Sequence, residues 1–175
     1  MENSKQQTAS SEPSSWMLDC AMGAIKQLPS LAERKGITKS QLESLYLAGF
    51  QLYEMQCYQE AADLFRLLCL YEPRVARHWI ALGGAYQHIQ YHDNALASFA
   101  MASLLDPSNP DSKFYSAHSC IDLRNLQDAL KCASAAVTLA KYHADKKDLY
   151  RKALVLKDSL ITQIQINSKN KNHEH

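Results

Sequence analysis

The chain is short of the residues and runs that several classes of protein require. Its 175 residues include only five glycines and five prolines, too few for a sheet fold dense in tight turns. No stretch approaches the roughly 20 apolar residues of a membrane-spanning helix. The first residues lack the basic start and apolar run of a secretory signal. We therefore expect a soluble, intracellular, helical protein that does not insert into membranes.

An excess of charge of one sign is also missing. The formal net charge is +1, so neither binding to nucleic acid nor a strongly acidic surface is expected. The five cysteines form no CxxC pair, and Cys69, Cys120 and Cys132 fall within apolar helical stretches. We interpret these three as reduced, buried side chains of a cytosolic protein.

Motifs of catalysis and cofactor binding are missing as well. None of the five glycines belongs to a phosphate-binding loop. His88 and His92 are four residues apart, but no third metal ligand is near them in sequence, so a solvated turn is the preferred interpretation. No serine or cysteine has the sequence context of a catalytic nucleophile. We predict a protein that is not an enzyme and needs no metal or other cofactor.

What the sequence does contain is a 34-residue repeat. One copy has the spacing W-x2-L-G-x2-Y and then A-x3-F-x2-A-x4-P, which is the tetratricopeptide signature. Its positions are Trp79, Leu82, Gly83, Tyr86, Ala95, Phe99, Ala102 and Pro107. The copy before it has Leu45, Ala48, Gly49, Leu52, Ala61, Phe65, Leu68 and Pro73. In the copy after it the small residues persist and the large ones fade, as is typical of a terminal repeat.

The repeat predicts an all-α fold of three tandem helix hairpins that form a concave superhelical scaffold. Small residues such as Gly49 and Gly83 let the two helices of a hairpin pack closely. We expect a disordered segment at 1–13, an amphipathic helix and connection at 14–35, and the repeat domain at 36–166. Within that domain the repeats occupy about 40–73, 74–107 and 108–141, a cap helix follows at 143–166, and a mobile tail follows at 167–175.

A second apolar stripe on the first helix indicates a binding surface. Tyr46, Phe50 and Tyr53 lie at i, i+4 and i+7, about 100° from the stripe that packs within the repeat, and packing does not need them. First helices line the concave wall of such a scaffold, so this stripe should face a groove. With matching positions of the other repeats, the predicted peptide-binding groove contains Tyr46, Phe50, Tyr53, Arg77, Ile80, Gln87, Phe114 and His118. Gly84 leaves the middle of the groove open.

Two questions stay open at this point. The aromatic stripe could be covered by the N-terminal helix or by the cap helix instead of binding a peptide. The N-terminal helix has its own apolar face, which could pack on the first repeat or pair two copies of the chain as a homodimer. The self-association candidates on this face are Trp16, Met17, Leu18, Met22 and Ile25.

Three runs within about residues 36–141 carry a family resemblance. The first repeat has the run F-x2-L-C-x-Y ending at Tyr71, the second has A-L-G-G-A ending at Ala85, and the third has P-x3-F ending at Phe114. With these runs the chain resembles the class II chaperones of bacterial type III secretion. It departs from their pattern at the turn after the first helix, where Gln56 and Cys57 stand in place of a usual glycine.

The resemblance implies a cytoplasmic chaperone that holds hydrophobic, pore-forming translocator proteins before their export. In the family an extended segment of the translocator lies in the concave groove, and the N-terminal helix takes part in self-association. The family's groove residues, carried over by position, agree with the groove predicted above.

A general repeat adaptor for another peptide is the alternative hypothesis. A clamp for the acidic tail of a heat-shock chaperone is not expected, because the clamp positions hold side chains that cannot grip carboxylates. These are Tyr46, Phe50, Ala81, Asp111 and Tyr115.

Overall fold

A computed structural model of the chain describes residues 29–173. These residues form eight α-helices and one short 3-10 helix, and no strand occurs in this part of the chain. The predicted all-α class is confirmed. The segment expected to be disordered at 1–13, the N-terminal amphipathic helix and its self-association residues Trp16 to Ile25 lie outside the described residues.

From the second helix onward, the helices pack in sequence order, each against the next, and the short first helix packs on the third. The helices are α1 (Leu31–Arg34), α2 (Lys39–Glu54), α3 (Tyr58–Tyr71), α4 (Ala76–His88), α5 (His92–Leu105), α6 (Pro110–Asp122), α7 (Leu126–Ala140) and α8 (Lys147–His173), with the 3-10 helix at Ala144–Lys146. The pairs α2/α3, α4/α5 and α6/α7 are the three predicted hairpins, and α8 packs on α7 at the end of the stack. None of the described helices is both long enough and apolar enough to cross a membrane.

The glycines at the helix crossings fit against buried rings. A Cβ atom at Gly83 would lie 2.5 Å from Cε1 of Phe99, and a Cβ atom at Gly49 would lie 2.8 Å from Cε1 of Phe65. Both phenylalanines are fully buried. Only the absence of a side chain lets the ring of the second helix lie against the backbone of the first. The small residues of the repeat are therefore a packing requirement.

A residue in the left-handed conformation ends the first helix of each hairpin. Gln56, Gln90 and Arg124 have φ angles of 63°, 63° and 60°. After the first of them, the N–H of Cys57 donates to the carbonyl oxygen of Leu52 at 2.9 Å, which is the long hydrogen bond of a Schellman motif. Glycine is the usual residue here because it has no Cβ to strain the backbone. The chain uses the same turn as a glycine-ended helix but with a less favourable residue.

Helix α8 extends farther than the sequence predicts. The cap helix is expected to end at residue 166 and to be followed by a mobile tail, but α8 continues to His173. Ala153 and Leu160 of α8 are buried against the third hairpin, whereas residues 165–169 are exposed. No glycine or proline occurs after residue 160, so nothing in the local sequence stops the helix. The polar composition of the tail was the wrong criterion for the end of the helix.

Candidate peptide-binding groove

Residues of α2, α4 and α6, the first helices of the three hairpins, supply most of the lining of a cavity of about 570 Å³. This volume lies within the range typical of ligand pockets. All eight residues of the predicted groove line it: Tyr46, Phe50, Tyr53, Arg77, Ile80, Gln87, Phe114 and His118. The structure brings these side chains together, and their role in binding a peptide stays a prediction.

Seven further residues complete the lining: Phe65, Ala81, Gly84, His88, Asn109, Asp111 and Tyr115. The repeat pattern assigns Phe65 to the hairpin core, yet its ring also reaches the cavity from α3. Ala81, His88 and Tyr115 each follow a predicted groove residue by one position, and one position is a rotation of about 100° on a helix. Including the residue next to each predicted position would have identified them.

A cluster of rings forms one end of the cavity. Phe50 and Tyr53 stack with ring centroids 6.4 Å apart and an interplanar angle of 16°. Tyr53 meets the rings of Tyr58 and His88 edge-on, each at 5.2 Å, and these two rings stack on each other at 4.1 Å. Burial raises the pKa of Tyr53, so its phenol is neutral at pH 7. This end offers an apolar, polarisable surface with a neutral hydroxyl group.

Tyr46 contributes to the core as well as to the cavity. Its ring centroid lies 5.8 Å from those of Phe65 and His78, and the guanidinium of Arg77 lies 4.6 Å from the centroid of the same ring. The expectation that packing does not need the aromatic stripe is therefore wrong for Tyr46, and it is also wrong for Tyr53, which packs against the same core. Phe50, by contrast, is 46% exposed and is the member of the stripe most accessible to a ligand.

The cap helix does not cover the aromatic stripe in the described part of the chain. No residue of α8 lines the cavity, so the cap helix leaves the aromatic residues accessible in the described part of the chain. The N-terminal helix, the other suggested cover, lies outside the described residues.

The opposite wall is built by α6. Phe114 is buried, and its ring meets that of His118 edge-on with a centroid separation of 4.8 Å. Burial lowers the pKa of His118, and the charge of Asp122 opposes this shift. The imidazole is therefore neutral at pH 7, which suits contact with an apolar side chain.

Gln87 connects two walls of the cavity. Its side-chain nitrogen donates to the carbonyl oxygen of Tyr115 and to the hydroxyl oxygen of Ser119, each at 2.9 Å. These hydrogen bonds connect α4 to α6. Because this nitrogen is already engaged, the side-chain oxygen of Gln87 is the atom that could accept a hydrogen bond from a bound peptide.

Four charged residues of alternating sign form a ladder along the cavity edge. Glu43, Arg77 and Asp111 are each 34 residues apart, and Lys146 follows 35 residues later. Arg77 donates to the carboxylate of Glu43, and Nζ of Lys146 donates to Oδ2 of Asp111 at 2.7 Å. The hydrogen bond to each carboxylate raises the pKa of both cations. Alternation of sign at the repeat spacing is the sequence signal that could have found this charge ladder.

His78 lies fully buried on α4, against the ring of Tyr46. Neither ring nitrogen forms a hydrogen bond with the described part of the chain. Burial, with the charge of Arg77 acting in the same direction, lowers the pKa of His78 to about 4, although the Glu72 carbonyl and the Glu43 carboxylate oppose the shift. The fold therefore holds a neutral imidazole directly behind the cavity wall.

The buried thiols of Cys69 and Cys120 are protonated at neutral pH. Burial raises the pKa of Cys69 to about 12 and that of Cys120 to about 11, where the neighbouring Cys132 adds to the effect. All four described cysteines are free. No group of three or more His, Cys, Asp or Glu side chains within residues 29–173 is arranged to hold a metal ion.

Three solved structures from type III secretion systems share this arrangement of helices. A type III secretion complex from Aeromonas hydrophila matches with a TM-score of 0.78 and 23% identity, over 84% of this chain and 98% of that chain. The translocator chaperone SycD of Yersinia enterocolitica matches with a TM-score of 0.72 and 23% identity, over 74% of this chain and 97% of that chain. At this level of identity the two matches show the fold.

The third structure adds likeness in sequence. PcrH of Pseudomonas aeruginosa, in complex with the chaperone binding region of PopD, matches with a TM-score of 0.72 and 26% identity, over 73% of this chain and 96% of that chain. The chain resembles the translocator chaperones of type III secretion. The resemblance predicted from the sequence is thereby confirmed, as are the tandem helical hairpins.

The chain also has a relative among curated protein sequences. The low calcium response locus protein H of Yersinia pestis is 26% identical over 100 residues, which are 57% of this chain and 60% of that relative. The chain thus matches less than two thirds of the relative's length. No model of a known protein family matches the sequence.

Proposed function

We propose that this chain is a non-enzymatic chaperone of the bacterial cytoplasm. It binds an extended segment of a hydrophobic type III secretion translocator protein and so prevents aggregation and premature association before secretion. The observation that carries this proposal is a cavity lined jointly by the first helices of all three hairpins. The likeness to PcrH, which was solved with the chaperone binding region of PopD, supports the class of client.

The chemistry of the cavity suits such a client. A protein with membrane-inserting segments exposes apolar surface in water and aggregates unless that surface is covered. Each apolar side chain that an extended segment buries between the rings of α2 and Phe114 contributes roughly 1.5–3 kcal/mol. Side chains spaced along the segment can enter the cavity while its backbone stays extended.

The cavity is less suited to an acidic peptide tail. Arg77 is the single Lys or Arg side chain among the cavity-lining residues, and it is already paired with Glu43. Asp111, at a position where a carboxylate clamp would need a cation or a hydrogen-bond donor, offers only a carboxylate, which is paired with Lys146. A general adaptor for other peptides is the alternative function. The two functions are distinguished by the protein that co-purifies with the chain.

Phe50 and Leu47 provide a matched pair for the test. Both are apolar residues on α2 with about half of their surface exposed, 46% and 53%, but only Phe50 lines the cavity. The chain is co-expressed with the membrane-inserting translocator of its own host, and the soluble client that co-purifies is measured. We expect Phe50→Ala to reduce this amount at least tenfold, as loss of one buried aromatic contact should. Leu47→Ala should leave it unchanged.

Equal effects of the two substitutions would refute the placement of the client in the cavity. If the wild-type chain recovers only soluble scaffold proteins from its host and no translocator, the adaptor alternative holds. Circular dichroism and thermal unfolding of both variants establish that the fold is intact.

Self-association is a separate proposal. A solved structure of SycD is of an alternative dimer. Pairing of this chain through the apolar face at Trp16, Met17, Leu18, Met22 and Ile25 stays a prediction, because these residues lie outside the described part.

A further inference from the structure

Gly84 is a helical glycine without a structural reason to be one. A Cβ atom at this position would meet only the ring of Tyr53, with its hydroxyl oxygen at 3.8 Å and Cε2 at 3.9 Å, which are ordinary contact distances. Its neighbour Gly83 is different, because a Cβ atom there would collide with Phe99. Close packing therefore explains the glycine at position 83 but not the glycine at position 84.

The backbone does not require glycine at position 84 either. Gly36 is the one glycine in the described residues with a positive φ angle, and Gly84 lies inside the regular helix α4. Glycine is among the least favourable residues in a helix interior, since its freedom in the unfolded chain is lost on folding. Departures from local preference that no packing explains are typical of functional positions.

The space left by the missing side chain is part of the cavity. Gly84 lines it, one turn after Ile80 and one turn before His88 on the same face of α4. Tyr53, the nearest side chain to the missing Cβ, belongs to the ring cluster at the apolar end. An added methyl group would narrow the cavity where α2 and α4 face each other.

We propose that Gly84 determines specificity, because it admits one large apolar side chain of the bound segment, aromatic or long aliphatic, against the backbone of α4 on the cavity side, next to the ring of Tyr53. The inference rests on the proposed function, since it assumes that the cavity binds an extended peptide. It adds that one position of the peptide is selected for size. Substituting Gly84 should change which peptides bind and leave the fold intact.

Selection from a phage-displayed library of random dodecapeptides tests this directly. Four purified full-length proteins are used: wild type, Gly84→Ala, Gly84→Leu and Ala100→Leu. Ala100 is exposed on α5 and does not line the cavity, so its substitution by leucine enlarges a side chain on the same type of element but away from the cavity. Circular dichroism checks the fold of each protein, and Gly84→Ala carries the test if Gly84→Leu does not fold.

We expect wild type and Ala100→Leu to select Phe, Tyr, Trp, Leu or Met at one position of a shared motif. Gly84→Leu should select Ala, Ser or Val at that position and keep the flanking residues. A synthetic peptide of the wild-type motif should bind Gly84→Ala about tenfold more weakly than wild type, as one methyl group in an apolar pocket implies.

Two results would overturn the inference in different ways. If all four proteins select side chains of the same size at every position, the cavity binds peptides but Gly84 does not set their specificity. If none of the folded proteins selects any peptide, binding of extended segments in the cavity fails, and the proposed function fails with it.

Discussion

Acid should weaken the fold through one buried imidazole, that of His78. The ring is fully buried and lacks hydrogen bonds to the described residues, so a proton on it would place a charge in an apolar site. Replacing the residue with phenylalanine removes the titrating group and keeps a flat ring against Tyr46. The variant His78→Phe should therefore be less sensitive to acid than the wild-type chain.

The size and sign of the effect follow from the two pKa values. In the unfolded chain a histidine has a pKa of about 6.5, and in the fold the pKa of His78 is about 4. Between these values the unfolded chain binds the proton and the folded chain does not, so falling pH favours unfolding. The stabilisation is complete above pH 6.5 and is lost as the pH falls to 4, a total of about 3 kcal/mol. About 2 kcal/mol of it is lost between pH 7 and pH 5.

Urea unfolding at pH 7 and at pH 5, followed by circular dichroism, measures this loss. The quantity of interest is the fall in unfolding free energy for the wild-type chain minus the fall for His78→Phe, which we expect to be about 2 kcal/mol. The other titrating groups are present in both proteins, so their contributions cancel. Equal losses in the two proteins would show that His78 keeps an ordinary pKa and that the reasoning from its burial is wrong.

Two further predictions concern backbone positions and are read from thermal or urea unfolding at pH 7. Gly83→Ala should destabilise the chain by roughly 1–3 kcal/mol, because its Cβ would lie 2.5 Å from Phe99. Gly84→Ala should instead stabilise the chain by roughly 0.5–1 kcal/mol, because alanine is the better helix former. Similar effects of the two substitutions would contradict the close packing of Gly83 on Phe99. Gln90→Gly should stabilise the chain by about 1 kcal/mol, because φ is 63° there, and a loss of stability would show that the Gln90 side chain outweighs the backbone strain.

The positions of the groove residues could be predicted because two constraints act together. The repeat spacing states which residues of different hairpins are equivalent, and helix periodicity states which of them share a face. Phe50, Ile80 and Phe114 are found at the cavity by this reasoning alone. The same constraints identified Gly49 and Gly83, since a close helix crossing tolerates few residue types.

Sequence periodicity could not reveal side chains that contact the cavity and the core at the same time. Tyr46 belongs to the cavity and the core at once, because a tyrosine ring is wide enough to reach both Phe65 and His78. Periodicity treats each residue as facing one direction and misses such a double role. The partner of Asp111 was missed for another reason, since Lys146 lies beyond the last repeat and one residue out of register.

The end of α8 illustrates the limit of composition as a guide. Polar residues after Ile166 indicate exposure, which the structure bears out for residues 167–169. Exposure does not end a helix, because asparagine, lysine and serine are tolerated on its solvent side and only glycine or proline stops it sharply. The prediction confused a loss of packing with a loss of helix.

The charge ladder makes the number and order of the hairpins matter. In an array of identical repeats, a unit can be removed and the remaining neighbours still fit. Here, excising one 34-residue unit at 74–107 would place Glu43 beside Asp111, so that two carboxylates would meet where each now faces a cation. Duplicating that unit would set two copies of Arg77 side by side. Loss or duplication of the middle repeat would therefore require a compensating change of charge.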